Sequence, residues 1–215
     1  MASSLVVRAT IALAFGSVAT LGLSGCFEST DIDEDTTTSS DGNDESEGET
    51  GTTADCGTYC SLVSACDDSF PQYTTVGPCM SVCSNMPLGS ADDQTGNTVG
   101  CRTFYSIQAG EATANQETFC QNAGPSGNGV CGGLCESFCA IAVDTCTGDN
   151  QVFDDTIDCI NKCMTWDTSV PYASDTAEAD NYACRLKHLT YATLDPGTHC
   201  SHVADESNVC VDATP

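Results

Sequence analysis

A chain of 215 residues with 31 acidic against 5 basic side chains carries a formal net charge of −26. Nucleic-acid phosphates and anionic lipid head groups repel such a chain, which excludes nucleic-acid binding. Seventeen cysteines, about 8% of the residues, form a disulfide-scaffold composition and point to an oxidising compartment.

The N-terminal segment, residues 1–25, reads as an export signal. Arg8 ends a short positive region, and an apolar run follows from Ala9 to Leu23, too short to read as a membrane span. Leu23-Ser24-Gly25-Cys26 resembles the lipobox of bacterial lipoproteins, Leu-(Ala/Ser)-(Gly/Ala)-Cys, at all four positions. The resemblance implies that Cys26 becomes the mature N-terminus and carries a diacylglycerol thioether and a further acyl chain. At about 0.8 kcal/mol per buried CH₂, several such chains hold a protein on a membrane. Phe27 stands where the inner-membrane retention signal of diderm lipoproteins has Asp, which implies the outer membrane.

Residues 26–55 read as a disordered acidic tether. Phe27 to Asp55 holds eleven Asp or Glu, no Lys or Arg, and otherwise mostly Ser, Thr and Gly. It has too little apolar surface to offset its ordering entropy. Twenty-nine flexible residues span roughly 30 Å, enough to lift a domain off a membrane surface. Acidic residues close behind the lipidated cysteine also resemble the surface-export signals of some bacterial lipoproteins.

The remaining chain is one cysteine frame written twice, over residues 56–131 and 132–215. Cys56, Cys60, Cys66, Cys79, Cys83, Cys101, Cys120 and Cys131 are separated by 3, 5, 12, 3, 17, 18 and 10 residues. Cys135, Cys139, Cys146, Cys159, Cys163, Cys184, Cys200 and Cys210 are separated by 3, 6, 12, 3, 20, 15 and 9. Cys101-Arg102 answers Cys184-Arg185, and Ala109 answers Ala192. Each copy is near the size at which a single core is marginal, so four bridges per copy are expected to replace missing core.

The fold class is all-α, in two tandem disulfide-rich helical modules. In the second copy, Cys135, Phe138, Cys139, Ala142, Val143 and Cys146 lie on one helical face. The first copy repeats this with Cys56, Tyr59, Cys60 and Val63, and Cys66 arrives one residue early, so that helix ends sooner. A second helix carries Cys159, Cys163 and Trp166 behind Asp154, Asp155 and Thr156 as capping candidates, answered by Cys79, Cys83 and Met86. A third holds Cys184, His188 and Tyr191, answered loosely by Cys101 to Ala109. Beyond it the chain reads as turns, through Leu194-Asp195-Pro196-Gly197 and Gly124 to Gly129.

Cysteines four apart on a helix point the same way, so two such helices can be bridged twice. The expected pairs are Cys56–Cys83 with Cys60–Cys79, and Cys135–Cys163 with Cys139–Cys159. The other four in each copy are expected as Cys66–Cys101 with Cys120–Cys131, and Cys146–Cys184 with Cys200–Cys210. Eight cysteines allow 105 connectivities, so spacing alone does not choose among them.

All three histidines, His188, His199 and His202, lie in the second copy, where the first has Tyr105, Phe119 and Asn122. Three neutral imidazoles can hold Zn²⁺, and His199-x₂-His202 is a plausible ligand spacing. Spacing shows no acidic partner to orient them, and polar packing against disulfides is the alternative. Redox Cys-x₂-Cys, haem, hydrolase and phosphate-loop motifs are absent. Adjacent acids such as Asp67-Asp68, Asp92-Asp93 and Asp154-Asp155 read as caps and solvated loops.

Cys184-Arg185-Leu186-Lys187-His188-Leu189 followed by His199-Cys200-Ser201-His202 resembles the layout of uncharacterised cysteine-rich lipoproteins of myxobacterial type. That family brings no activity with it. The sequence therefore predicts a lipid-anchored, non-enzymatic envelope protein presenting two stapled modules to an unknown protein or surface ligand. A zinc-binding protein using His188, His199 and His202 is the alternative.

Overall fold

A computed structural model describes residues 53–66, 68–111 and 114–211. The export signal, Cys26 and the tether as far as residue 52 lie outside the described residues. The described residues hold eight α-helices and no strand, with two isolated bridges, Thr53 to Ser90 and Asp167 to Asn181. The first repeat contains α1 (Cys56–Leu62), α2 (Val76–Cys83), α3 (Val99–Glu111) and α4 (Gln116–Ala123). The second contains α5 (Leu134–Thr145), α6 (Thr156–Cys163), α7 (Tyr182–Ala192) and α8 (Pro196–Val203). Among these residues no helix is long and apolar enough to cross a membrane.

Short polar side chains set the helix starts. Asp55 accepts from the Thr58 N–H at 2.8 Å at the head of α1, and Asp155 does the same for Asp158 on α6. Asn181 caps α7 through the Cys184 N–H at 2.8 Å. Thr53, Ala54 and Asp55, which composition assigns to the tether, already belong to the fold. Ala54 is buried and donates to the Gly89 carbonyl.

Turn chemistry hid two helices. The stretch after α7 reads as a turn, but Asp195 accepts from the Thr198 N–H and Pro196 occupies the first turn of α8. Asp followed by Pro is also a helix-start signal, because proline's missing N–H is one the first turn leaves unpaired. In the first repeat, α4 fills the equivalent place. Each repeat is thus two helical hairpins, α1/α2 with α3/α4 and α5/α6 with α7/α8.

The first hairpin of each repeat is stapled twice, Cys56–Cys83 with Cys60–Cys79 and Cys135–Cys163 with Cys139–Cys159. The other pairs differ from expectation. Cys66 bonds Cys120 and Cys101 bonds Cys131; Cys146 bonds Cys200 and Cys184 bonds Cys210. Helix geometry explains the exchange. Cys66 packs with Cys120 and Ala109, toward the far end of α3 from Cys101. Eight residues of helix separate Ala109 from Cys101, about 12 Å at 1.5 Å per residue, beyond the reach of a disulfide. Because α4 returns antiparallel to α3, Cys120 meets Cys66 and the chain beyond α4 brings Cys131 to Cys101.

A buried arginine clamp is also duplicated. Arg102 donates to the carbonyls of Thr98, Gly124 and Pro125, and Arg185 to those of Asn181, Ala204 and Asp205. Each guanidinium ties the start of the third helix to the segment leaving the fourth. Arg185 adds Asp180 at 2.7 Å and lies over the Trp166 ring, 4.6 Å from its centre. Trp166 itself follows α6, buried against Phe138. The two lysines of the described residues are ion-paired, Lys162 with Asp158 and Lys187 with Glu178.

The two repeats share one hydrophobic cluster, which runs from Tyr59 and Val82 to Phe138, Leu186 and Leu189. Small modules gain buried area this way that neither could supply alone. The Cys163–Cys184 loop of the second repeat seals the junction. Its Tyr172 hydroxyl donates to the Gln72 carbonyl at 3.1 Å, its Tyr172 carbonyl accepts from Gln121 at 2.6 Å, and its Ser174 N–H donates to the Pro71 carbonyl at 2.6 Å.

Candidate metal centre

The α7/α8 hairpin is closed by a three-residue link, residues 193–195, and braced by Cys146–Cys200 and Cys184–Cys210. His188 lies one turn before the end of α7. His199 and His202, three apart, share a face of α8. The antiparallel turn brings these positions together, while Cys200 between the two α8 histidines points to its bridge with Cys146.

The three rings converge through their Nδ1 atoms. His188 Nδ1 is 3.3 Å from His199 Nδ1 and 3.2 Å from His202 Nδ1, and one nitrogen of each ring lies within 4.8 Å of the others. Zinc bonds nitrogen at about 2.0–2.1 Å, which puts the ligand nitrogens of a tetrahedral site about 3.3–3.4 Å apart. Two edges of that tetrahedron are thus already present in the protein.

The acidic partner that spacing does not show is Glu178. Its Oε2 sits 2.9 Å from His188 Nε2, and its Oε1 accepts from Lys187 Nζ at 3.0 Å. Lys187 also donates to the Thr176 carbonyl at 2.8 Å, which fixes the loop that carries the glutamate. With the His188 proton on Nε2 and given to Glu178, Nδ1 presents its lone pair toward His199 and His202.

Partial burial opposes charge on Glu178, but hydrogen bonds from His188 and Lys187 outweigh it and hold the carboxyl below the usual glutamate range. Burial and the neighbouring His188 push His199 down, against the attraction of Asp195. His202 is lowered by burial, then by His188 and His199. Both shifts favour the neutral imidazole, the form that binds metal. Tyr191 walls the site, its ring centre 5.3 Å from that of His199.

A second group, Glu178, Cys184, His188 and Cys210, also falls within metal-ligand spacing. Its two sulfurs are bonded to each other, so the oxidised protein offers no thiolate there. All sixteen cysteines of the repeats are bridged in this way, and Cys26 lies outside the described residues.

The first repeat shows the same scaffold without the histidines. Tyr105 and Phe119 stack with ring centres 6.1 Å apart where His188 and His199 stand in the second, and Asn122 accepts from Asn128 at 3.0 Å. The sequence carries one mark of the missing glutamate. The interval before Cys184 is 20 residues against 17 before Cys101, and this longer loop is the segment that holds Glu178.

Fold and site together define a disulfide-stapled, all-helical protein with a duplicated repeat and a three-histidine cluster in one copy. Residues 132–213 match the sequence model of the BfoA family C-terminal domain, so the second repeat, with all three histidines and Glu178, is similar to that domain. No curated protein and no solved structure matches the chain. Eight disulfides are the mark of an extracytoplasmic compartment.

Proposed function

We propose that this protein binds one first-row transition-metal ion outside the cytoplasm, through Nδ1 of His188, His199 and His202, with zinc as the reference ion. The observation that carries the reading is the 3.2 and 3.3 Å convergence of three ring nitrogens whose central ring is oriented by Glu178. An all-nitrogen donor set suits Zn²⁺ and Cu²⁺. The rest of the chain presents the centre. Cys26, lipidated as its lipobox resemblance implies, anchors the protein in the outer membrane of a cell envelope, and the acidic segment holds the folded part off the lipid. The first repeat, without ligands, serves as a rigid partner that shares its core and offers surface to envelope components.

The test is native mass spectrometry of the exported protein, produced in an oxidising compartment and exposed to equimolar Zn²⁺. One ion per chain, lost in His199→Ala, supports the reading. A metal-free mass at micromolar Zn²⁺ and Cu²⁺ overturns it and leaves a two-repeat binding module.

A further inference from the structure

We infer that the ion held by His188, His199 and His202 keeps one coordination position for an exogenous ligand, water at rest and a small anion in exchange. The inference rests on the three-histidine reading above and assigns the centre to the open, Lewis-acid class. A closed structural site has four protein ligands.

The first argument is the supply of donors. Among the described residues, no fourth His, Cys, Asp or Glu atom joins the three ring nitrogens. Glu178 is spent at the opposite edge of the His188 ring, with Oε2 on Nε2 and Oε1 on Lys187. Cys184 and Cys210 are consumed in their own bridge. The Asp195 carboxylate caps α8 through the Thr198 N–H.

The second argument is access. His188 is buried at 6% exposure, but His199 and His202 are only half-buried. An ion bridging the three therefore has the buried His188 on its inner side and the partly exposed rings of His199 and His202 on its outer side.

The third argument is need. Structural zinc sites supply folding energy to domains that lack it. Here Cys146–Cys200 and Cys184–Cys210 already lock α7 and α8 to the rest of the repeat, and the first repeat builds the same hairpin with an aromatic pair instead of histidines. The ion is not required to hold these helices together, so its coordination sphere is free to serve a ligand. The ligand class follows from local charge. Three neutral imidazoles carry no charge to compensate a dipositive ion, and the Glu178 carboxylate is engaged by Lys187 and by the far edge of the His188 ring. Compact anionic or oxygen donors fit such a position.

The experiment loads the full exported chain with Co²⁺, whose visible d–d absorption reports coordination number, and titrates the complex with azide. The expected result is a saturable spectral change with one azide per cobalt, absent in His199→Ala, whose unchanged far-UV circular dichroism shows that the stapled hairpin persists. Cobalt bound with a spectrum indifferent to azide means a protein group fills the fourth position, which overturns this inference and leaves the metal reading standing. Failure to bind cobalt, zinc or copper overturns both.

Discussion

Glu178 Oε2 meets His188 Nε2 at 2.9 Å, at the ring edge opposite the nitrogen that faces His199 and His202. A carboxylate on the far nitrogen of a ligand imidazole fixes its tautomer and raises its basicity. Glu178→Gln is therefore expected to weaken zinc binding by about 10–100-fold while keeping one ion per chain. Competition against a chromophoric chelator measures the shift, and an unchanged affinity removes Glu178 from the site.

The exchanged disulfides make a direct chemical prediction. Non-reducing peptide mapping is expected to join the Cys66 peptide to that of Cys120, and the Cys146 peptide to that of Cys200. A Cys66–Cys101 cross-link contradicts the helix order described above. Each of these bridges closes a separation of 54 residues. Loop-closure entropy sets the loss in a Cys66→Ala/Cys120→Ala double variant at about 4 kcal/mol, readable in denaturant unfolding.

Alkaline pH is expected to destabilise the protein through its buried phenols. Desolvation pushes Tyr59 up to about 12 and raises Tyr73, Tyr172 and Tyr182 as well, from an ordinary value near 10.0. The unfolded chain loses these protons first, so stability is full below pH 10 and falls as pH rises through 12. Absorbance titration should show these phenols ionising late, together with loss of helix signal. Four phenols titrating normally in a folded protein contradict the packing.

Arg102 tests the duplicated clamp. Its side chain is fully buried, has no carboxylate partner among the described residues, and meets three backbone carbonyls and the Ser137 hydroxyl of the other repeat. Arg102→Met keeps much of the volume but strands the buried carbonyls, at roughly 1–3 kcal/mol for each one left unpaired. A loss of about 3 kcal/mol or more in chemical denaturation is expected. A loss below about 1 kcal/mol would assign the clamp to packing alone.

Much of the fold was legible because cysteine positions and helical periodicity are local properties. Cys56, Tyr59, Cys60 and Val63 mark a helix face by spacing, and a Cys-x₃-Cys pair facing its like admits the double staple found in both repeats. α4 and α8 were not legible, because Asp195-Pro196 begins a helix and makes a turn with the same residues. Without α4, nothing in the spacing places Cys120 beside Cys66, so four pairs came out exchanged.

The candidate site divides in the same way. Sequence by itself determined that the histidines sit in one repeat only, since His188, His199 and His202 replace Tyr105, Phe119 and Asn122 against a shared cysteine frame. It also determined the acidic, cysteine-rich character of the chain, which depends on composition alone. Tertiary structure decided which cysteines bond, how the two repeats merge into one core, and that Glu178 reaches His188 from ten residues upstream. Those outcomes depend on where helices cross and how far a loop can reach, and neither distance is written in the order of the residues.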